Sequence, residues 1–406
     1  MSANAEKTLS GVTIREAKVI SLIGVGHFMS HLYLMLIPTF LPLIKTELGI
    51  NYTMMSSVLA AYGLAAALSN VVMGFVVDRF GAPFVLAIGM AVGAMAIVLI
   101  GFSTTYWQLV VLMLIYGIGD SVFHPADYAI LGNNVSPSHV AKGFAIHNFT
   151  GMLGFAVTPI AATTLSLWIG WHKVMIVFGM VGLFLSLFVL LNQRLLRSEV
   201  HAVAKKSDDG TQESGWKILL RRPVLLCLGV FIGLGLFGTG LRDYSVTILH
   251  LIYSADTLEV TPIVSGFLTA TLFGVLAGGW LADKSRKPEL ITCSVLAVFA
   301  IALMTISFVH PPLPLVAVIF AILGFGSGMI YPSRDMLLRA IVPARDIGKA
   351  FGFASFGMGV AALVASLTYG FILDHFSAAT ALMTIGLFAL ATIGIIALGW
   401  RDHSRT

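Results

Sequence analysis

Charge is the first thing this chain lacks. Only 11% of its 406 residues are Asp, Glu, Lys or Arg, while 58% are hydrophobic and the mean hydropathy is +0.94. Water-soluble domains carry about 25% charged residues, so an ordinary soluble globular protein is excluded. Cysteine is nearly absent too. Cys227 and Cys293 both sit in apolar runs, leaving no disulfide framework and no CxxC metal pair. There is no GxxxxGK[ST] loop, so ATP drive is not expected. A serine nucleophile elbow and an HExxH pair are missing as well, which argues against a membrane hydrolase.

What fills the chain instead is apolar sequence of membrane-crossing length. About 20 apolar residues span the hydrocarbon core as a helix, because each rises about 1.5 Å. Twelve such runs occur, near 19–42, 53–77, 84–103, 108–132, 143–168, 173–191, 223–248, 262–282, 289–308, 314–338, 350–373 and 379–400. The fold class expected is therefore all-α integral membrane, with twelve transmembrane helices. Residues 1–18 are polar and lead into a full-length run, with no short h-region and no small-residue cleavage site. The first span is expected to be retained.

The formal net charge is +5, which might suggest nucleic acid, but the placement of the cations argues otherwise. All of the 24 Lys and Arg except Lys45, Lys173, Arg242 and Arg334 fall in the termini and the loops after even-numbered spans. That asymmetry is the positive-inside pattern. It places both termini in the cytoplasm and the chain in a cell inner membrane, in contact with lipid and not with nucleic acid.

The polar stretch 192–222 separates six spans from six. The expected organisation is a cytoplasmic segment 1–18, a six-helix bundle 19–191, a cytoplasmic linker 192–222, a second bundle 223–400 and a cytoplasmic tail 401–406. The two bundles are related in sequence. "GIGDSVFHPADYAILGNNVSPSHVAKGFA" (117–145) aligns with "GFGSGMIYPSRDMLLRAIVPARDIGKAFG" (324–352) at an offset of 207, and "GFVVDRFG" (74–81) with "GWLADKSR" (279–286) at an offset of 205. Duplicated six-helix halves are a common architecture of secondary transporters, with the substrate site where the halves meet. In the shorter repeat, Gly74 and Gly279 would permit close helix contact. Asp78, Arg79, Asp283 and Lys284 would pair or separate as one face closes or opens, a conformational latch.

"GFVVDRFG" resembles the cytoplasmic loop motif of the major facilitator superfamily. "GIGDSVFHPA" resembles the fourth helix of its fosmidomycin-resistance-type transporters, and "GHFMSHLYLMLIPTFLPLIKTELG" and "FGFASFGMGVAALVASLTYGFILDH" are similar to their first and eleventh helices. The resemblance implies the facilitator fold of two pseudo-symmetric six-helix bundles, alternating access, and a monomer. Two positions depart from it: Asp120 stands where a small residue is usual, and His31 where relatives tend to carry an acid. The substrate is therefore not carried over from the family.

The chemistry lies in ionisable residues inside the apolar runs. Each costs about 2.5–3.5 kcal/mol at mid-membrane and so should face a cavity or a partner. On a helical wheel Asp120, His124 and Asp127 fall within about 60° of one another. Adding 207 to Asp127 and His124 gives Arg334 and Tyr331, expected to face the same central space. There Arg334, with Asp335 beside it, would neutralise Asp127 or grip an anion. His27 and His31 share a helix face; the spacing suits two metal ligands, but no third stands nearby in sequence and neither metal nor cofactor is expected. Arg242 and Asp243 point about 100° apart on the helix and need not pair with each other. His147 and Asn148 are helix-bridging or cavity groups.

These residues lead to three expectations. The first is a secondary transporter, no enzyme, moving a small organic molecule by proton-coupled efflux, with protons carried by His124 and Asp120 or Asp127. The second is proton-coupled uptake of an organic anion on Arg242 and Arg334. The third, of another class, is a non-transporting sensor or assembly partner.

Overall fold

The structure is a computed structural model that describes residues 12–197, 219–285, 287–342 and 347–403. Every element among them is an α-helix: α1 Ile14–Leu48, α2 Tyr52–Phe80, α3 Ala82–Ile100, α4 Tyr106–Asp120, α5 Phe123–Asn134, α6 Val140–Leu191, α7 Gln193–Leu196, α8 Arg222–Tyr253, α9 Thr257–Lys284, α10 Pro288–Val309, α11 Leu313–Ile341, α12 Ile347–His375 and α13 Ala378–His403.

Local chemistry sets the ends. Thr13 and Glu16 form a reciprocal capping box at the start of α1, and Gly49 closes it in the left-handed region at φ 63°. Asn51 caps α2 by accepting from the Met54 amide at 2.8 Å. Eleven helical stretches are long and apolar enough to cross a membrane. The 52 residues of α6 would reach about 78 Å as one rod, far beyond a hydrocarbon core of about 30 Å. Gly170, at φ 78° and ψ 156°, breaks it into two crossings, where the sequence places the boundary between the fifth and sixth spans. The twelve-span fold follows. Of the linker, residues 192–197, which hold the single turn of α7, and 219–222, which lead into α8, are described; 198–218 lie outside the described residues.

In the first half α1 packs on α6, α3 on α4 and α6, and α2 on α4. In the second, α8 packs on α12 and α13, α9 on α11, and α10 on α13. The halves meet along α2 with α12 and α6 with α9, with α1 beside α8 between them. One contact appears twice. A Cβ on Gly117 would lie 2.6 Å from the Tyr62 carbonyl oxygen, and one on Gly324 would collide with that of Phe267. Gly117 and Gly324 are 207 apart, and Tyr62 and Phe267 are 205 apart, so the sequence repeat is a repeat of helix packing. The close contact expected at Gly74 and Gly279 is not found, since a Cβ at either would meet nothing within 4 Å. These ends of α2 and α9 stand clear of their neighbours.

Packing of this kind is sensitive to one methyl group. Gly324→Ala should destabilise the protein by about 1–3 kcal/mol through overpacking. Gly266→Ala, on the facing helix but in open space, should be neutral or gain from helix propensity. Thermal unfolding of the two variants in one detergent checks this; equal midpoints would contradict the packing described.

Candidate functional site

The site is built by α1, α5 and α6. Gly151 and Gly154 let α6 approach α1: a Cβ on Gly151 would lie 2.5 Å from Cε1 of His27 and 3.0 Å from Cε1 of His31. One turn before Gly151, His147 therefore stacks on His27, with ring centroids 3.7 Å apart and planes at 9°. Nδ1 of His27 donates to the His147 carbonyl at 2.8 Å. Nε2 of His147 meets Oδ2 of Asp127 at 2.9 Å, with both side chains 1% exposed. His31 lies edge-on to His27 at 4.3 Å. His124 approaches His27 at 5.4 Å and His147 at 6.2 Å, and is exposed. Nε2 of His27, Nδ1 of His31, Nδ1 of His147 and Oδ1 of Asp127 are buried without hydrogen-bond partners. Four imidazoles and a carboxylate are thus gathered in one cluster contributed by α1, α5 and α6.

Asp120 does not join this group. α4 ends at Asp120 and α5 begins at Phe123, but Ser121 and Val122 keep right-handed helical angles, so the two form one 29-residue span with a local distortion. Pro125 has no N–H for the Ser121 carbonyl, and Ser121 Oγ donates to the Ile118 carbonyl at 2.7 Å. Asp120 instead accepts from the Tyr62 hydroxyl at 2.8 Å and the Tyr116 hydroxyl at 3.4 Å. The single Tyr116 proton is shared between Asp120 and the nearer Ser30 carbonyl at 3.0 Å, tying α4 to α1.

The cations of the second half take partners from their own helices. Arg242 forms a fork with Asp243, Nε to Oδ1 at 2.5 Å and Nη2 to Oδ2 at 2.9 Å, a pairing that the 100° between their positions does not require. The arginine side chain is long enough to fold over one residue, and a charge in a dry interior requires a counter-charge. Arg242 also lies over the Phe155 ring of the first half at 5.4 Å, and Phe155 contacts His31 at 4.2 Å. Arg334 pairs with Asp335 at 3.0 Å, lies over Phe231 and Tyr331 at 4.7 and 5.1 Å, and touches the Met358 sulfur. It does not neutralise Asp127, which has His147.

Sequence reasoning ranked His147 low and missed Tyr62, Tyr116, Phe155 and Gly151. The i, i+4 spacing of Tyr116 and Asp120 was a usable signal; the others depend on helix packing. A cleft of about 570 Å³ opens between α6 and α9, lined by Val157, Ile160, Ser265 and Phe273 among others, and carries none of the ionisable groups.

The two ends of the bundle differ. At one, Asp374 of α12 accepts from the Tyr52 and Thr53 amides of α2 at 2.8 and 2.7 Å and from the Thr53 hydroxyl at 2.6 Å. Tyr244 donates to Ser56 Oγ at 2.7 Å close by. At the other, Asp78, Arg79 and Lys284 are exposed. Arg79 lies over Phe80 and Lys284 over Trp280, rings of their own helices; the Asp283 side chain lies outside the described residues.

The model of the Major Facilitator Superfamily matches residues 23–310 and 242–406. The chain belongs to that superfamily. The fosmidomycin resistance protein of Escherichia coli K12 is 23% identical over 366 residues, covering 88% of this chain and 87% of that protein. The D-galactonate transporter of Escherichia coli O6:H1 is 23% identical over 386 residues, 86% of each chain. Among solved structures, a bacterial homolog of the human lysosomal transporter Spinster, inward-facing and occupied, aligns with a TM-score of 0.77 at 14% identity, over 95% of this chain and 97% of that one. The chain is a multi-pass membrane transporter and not an enzyme.

Removing one hydroxyl from Asp120 should leave a buried carboxyl under-satisfied. Tyr62→Phe is expected to lower stability by about 1.5–3 kcal/mol, as for a hydrogen bond to a charged group, and by clearly less in an Asp120→Asn background. A double-mutant cycle on thermal unfolding reads the coupling; additive effects would contradict the contact.

Proposed function

We propose that this protein is a proton-coupled secondary transporter that exports a small organic molecule across the inner membrane by alternating access. It acts as a monomer with both termini in the cytoplasm. Bundles 19–191 and 223–400 rock about the interface of α2 with α12 and α6 with α9, and linker 192–222 lets them move. The observation that carries this reading is the unequal treatment of the two ends. The Asp374 clasp ties α2 to α12 at the Asn51 end, while at the other end Asp78, Arg79 and Lys284 are exposed and the two cations lie over rings of their own helices. With the cation-rich loops in the cytoplasm, the gap between the halves opens inward. Asp78, Arg79, Asp283 and Lys284 would pair across the interface in the opposite state.

Asp120 is the group assigned to the proton. It sits at the α4–α5 distortion in the membrane interior, faced by Tyr62 from α2 and Tyr116 from its own helix. Tyr33 of α1 and Met90 of α3 border the same small void. Hydroxyl donors beside the carboxyl can follow it through gain and loss of the proton. A void of about 10 Å³ lies beside it.

Uptake of an organic anion is the second reading, favoured by the named sugar-acid transporter among equally similar relatives. In that case Arg242 or Arg334 would exchange its neighbouring aspartate for the substrate.

Everted vesicles with an acidic lumen separate the readings. The export reading predicts fosmidomycin accumulation driven by the pH gradient and no response for D-galactonate. Asp120→Asn should reduce the gradient-driven component by about tenfold or more, a coupling of at least about 1.4 kcal/mol. An undiminished response would remove Asp120 from the coupling step, and gradient-driven galactonate movement alone would select uptake.

A further inference from the structure

We propose that the cleft between α6 and α9 holds one acyl chain of an ester-linked bilayer lipid, with the Ser265 hydroxyl donating to its ester carbonyl. The cleft volume of about 570 Å³ lies in the range of about 300–1,000 Å³ typical of small-molecule sites. One wall comes from each half of the chain. Ala156, Ala161, Gly266 and Ala270 leave it hollow, and it carries no ionisable group. At Gly266 a Cβ would meet nothing within 4 Å, so the surface of α9 is open there.

The surroundings identify the occupant. Val157, Ile160 and Phe273 of the lining are 39%, 44% and 61% exposed, and Leu276 continues the same open face. All four lie in stretches that cross the membrane, where exposed apolar side chains are bordered by lipid tails. Ser265 is the exception. It is 3% exposed, and its Oγ is buried without a hydrogen-bond partner. A buried hydroxyl calls for an acceptor, and a bilayer lipid carries one at the head end of each chain, the ester carbonyl. A fatty acid would instead bring a carboxylate into a cleft lined by no cation.

Depth agrees with this order of groups. The 28 residues of α9 extend about 42 Å, about 12 Å more than the hydrocarbon core. With the excess divided between its ends, Ser265 lies just inside the hydrocarbon boundary on the Thr257 side. Phe273 lies about 12 Å further in. The hydroxyl is thus near the level of the ester linkage, and the apolar wall continues towards the membrane centre, as an acyl chain does. Because the two walls belong to different halves, a chain lodged there favours the arrangement in which α6 and α9 lie together. That consequence rests on the rocking proposed above; the binding does not.

The test uses the full chain in detergent, with dioleoyl phosphatidylethanolamine as the probe and native mass spectrometry to count retained lipid. Expected is one lipid per chain that outlasts the others as collision energy rises. Gly266→Leu, which fills the hollow, should lower affinity at least about tenfold. Ser265→Ala should lower it about three- to tenfold, and that loss should vanish for the ether-linked analogue, which has no carbonyl. Gly394→Leu, at an equally open glycine of α13, should retain lipid as the wild type does. Melting curves verify folding and give a second readout: added lipid raises the midpoint of the wild type and not of Gly266→Leu. Should Gly266→Leu fail to fold, Ser265→Ala against the ester and ether lipids decides. Gly266→Leu binding lipid as the wild type does, equal Ser265→Ala effects for both lipids, or preferential retention of oleate would overturn the site. The count is taken without a pH gradient, so it stands apart from the vesicle assay of export.

Discussion

The constraint from which the rest follows is the cost of holding an ionisable group away from water. Among the described groups, the acids and arginines inside the bundle have recruited nearby counterparts: Asp127 has His147, Asp120 has tyrosine hydroxyls, Arg242 has Asp243 and Arg334 has Asp335. These pairings are local, and none of them is a salt bridge joining the two halves. The halves can therefore separate there without stranding a charge, a requirement for any carrier whose bundles rock. Hydrogen bonds that join the halves are neutral or one-sided in charge: Asp374 accepts from two backbone amides and the Thr53 hydroxyl, and Tyr244 donates to Ser56.

The repeat supplies the scaffold and its divergence supplies the chemistry. The glycine-on-carbonyl contact is kept in both halves, at Gly117 against Tyr62 and at Gly324 against Phe267. The reactive positions are not kept. Tyr62 becomes Phe267, Asp120 becomes Ser327, His124 becomes Tyr331 and Asp127 becomes Arg334. The first half thus concentrates acids and imidazoles, while the second presents arginines already paired with aspartates. Two similar shells enclose unlike contents.

The fold was legible because membrane spans are written in composition, loop charge and the internal repeat, none of which needs tertiary information. The distortion between α4 and α5 was partly legible through Pro125, but the partner that Asp120 takes from α2 was not, since Tyr62 reaches it only through helix packing. The pairing of Arg242 with Asp243 was hidden for a different reason: backbone angles place Cβ atoms, whereas a long side chain reaches around them. The histidine group was half visible, as His27 and His31 share a face. Its completion depends on Gly151 allowing α6 against α1, a fact of packing that no local spacing encodes.

We propose a gap between the halves that is open at the Asp78 end and shut at the Asp374 end, with the exposed His124 facing it. Accessibility of a single thiol measures this directly. In a chain with Cys227 and Cys293 replaced by serine, His124→Cys is exposed to a membrane-impermeant maleimide in everted and in right-side-out vesicles. Fast labelling in everted vesicles with little from the other face is the outcome this proposal predicts. A thiol unreactive from both faces, or reactive only in right-side-out vesicles, would contradict it.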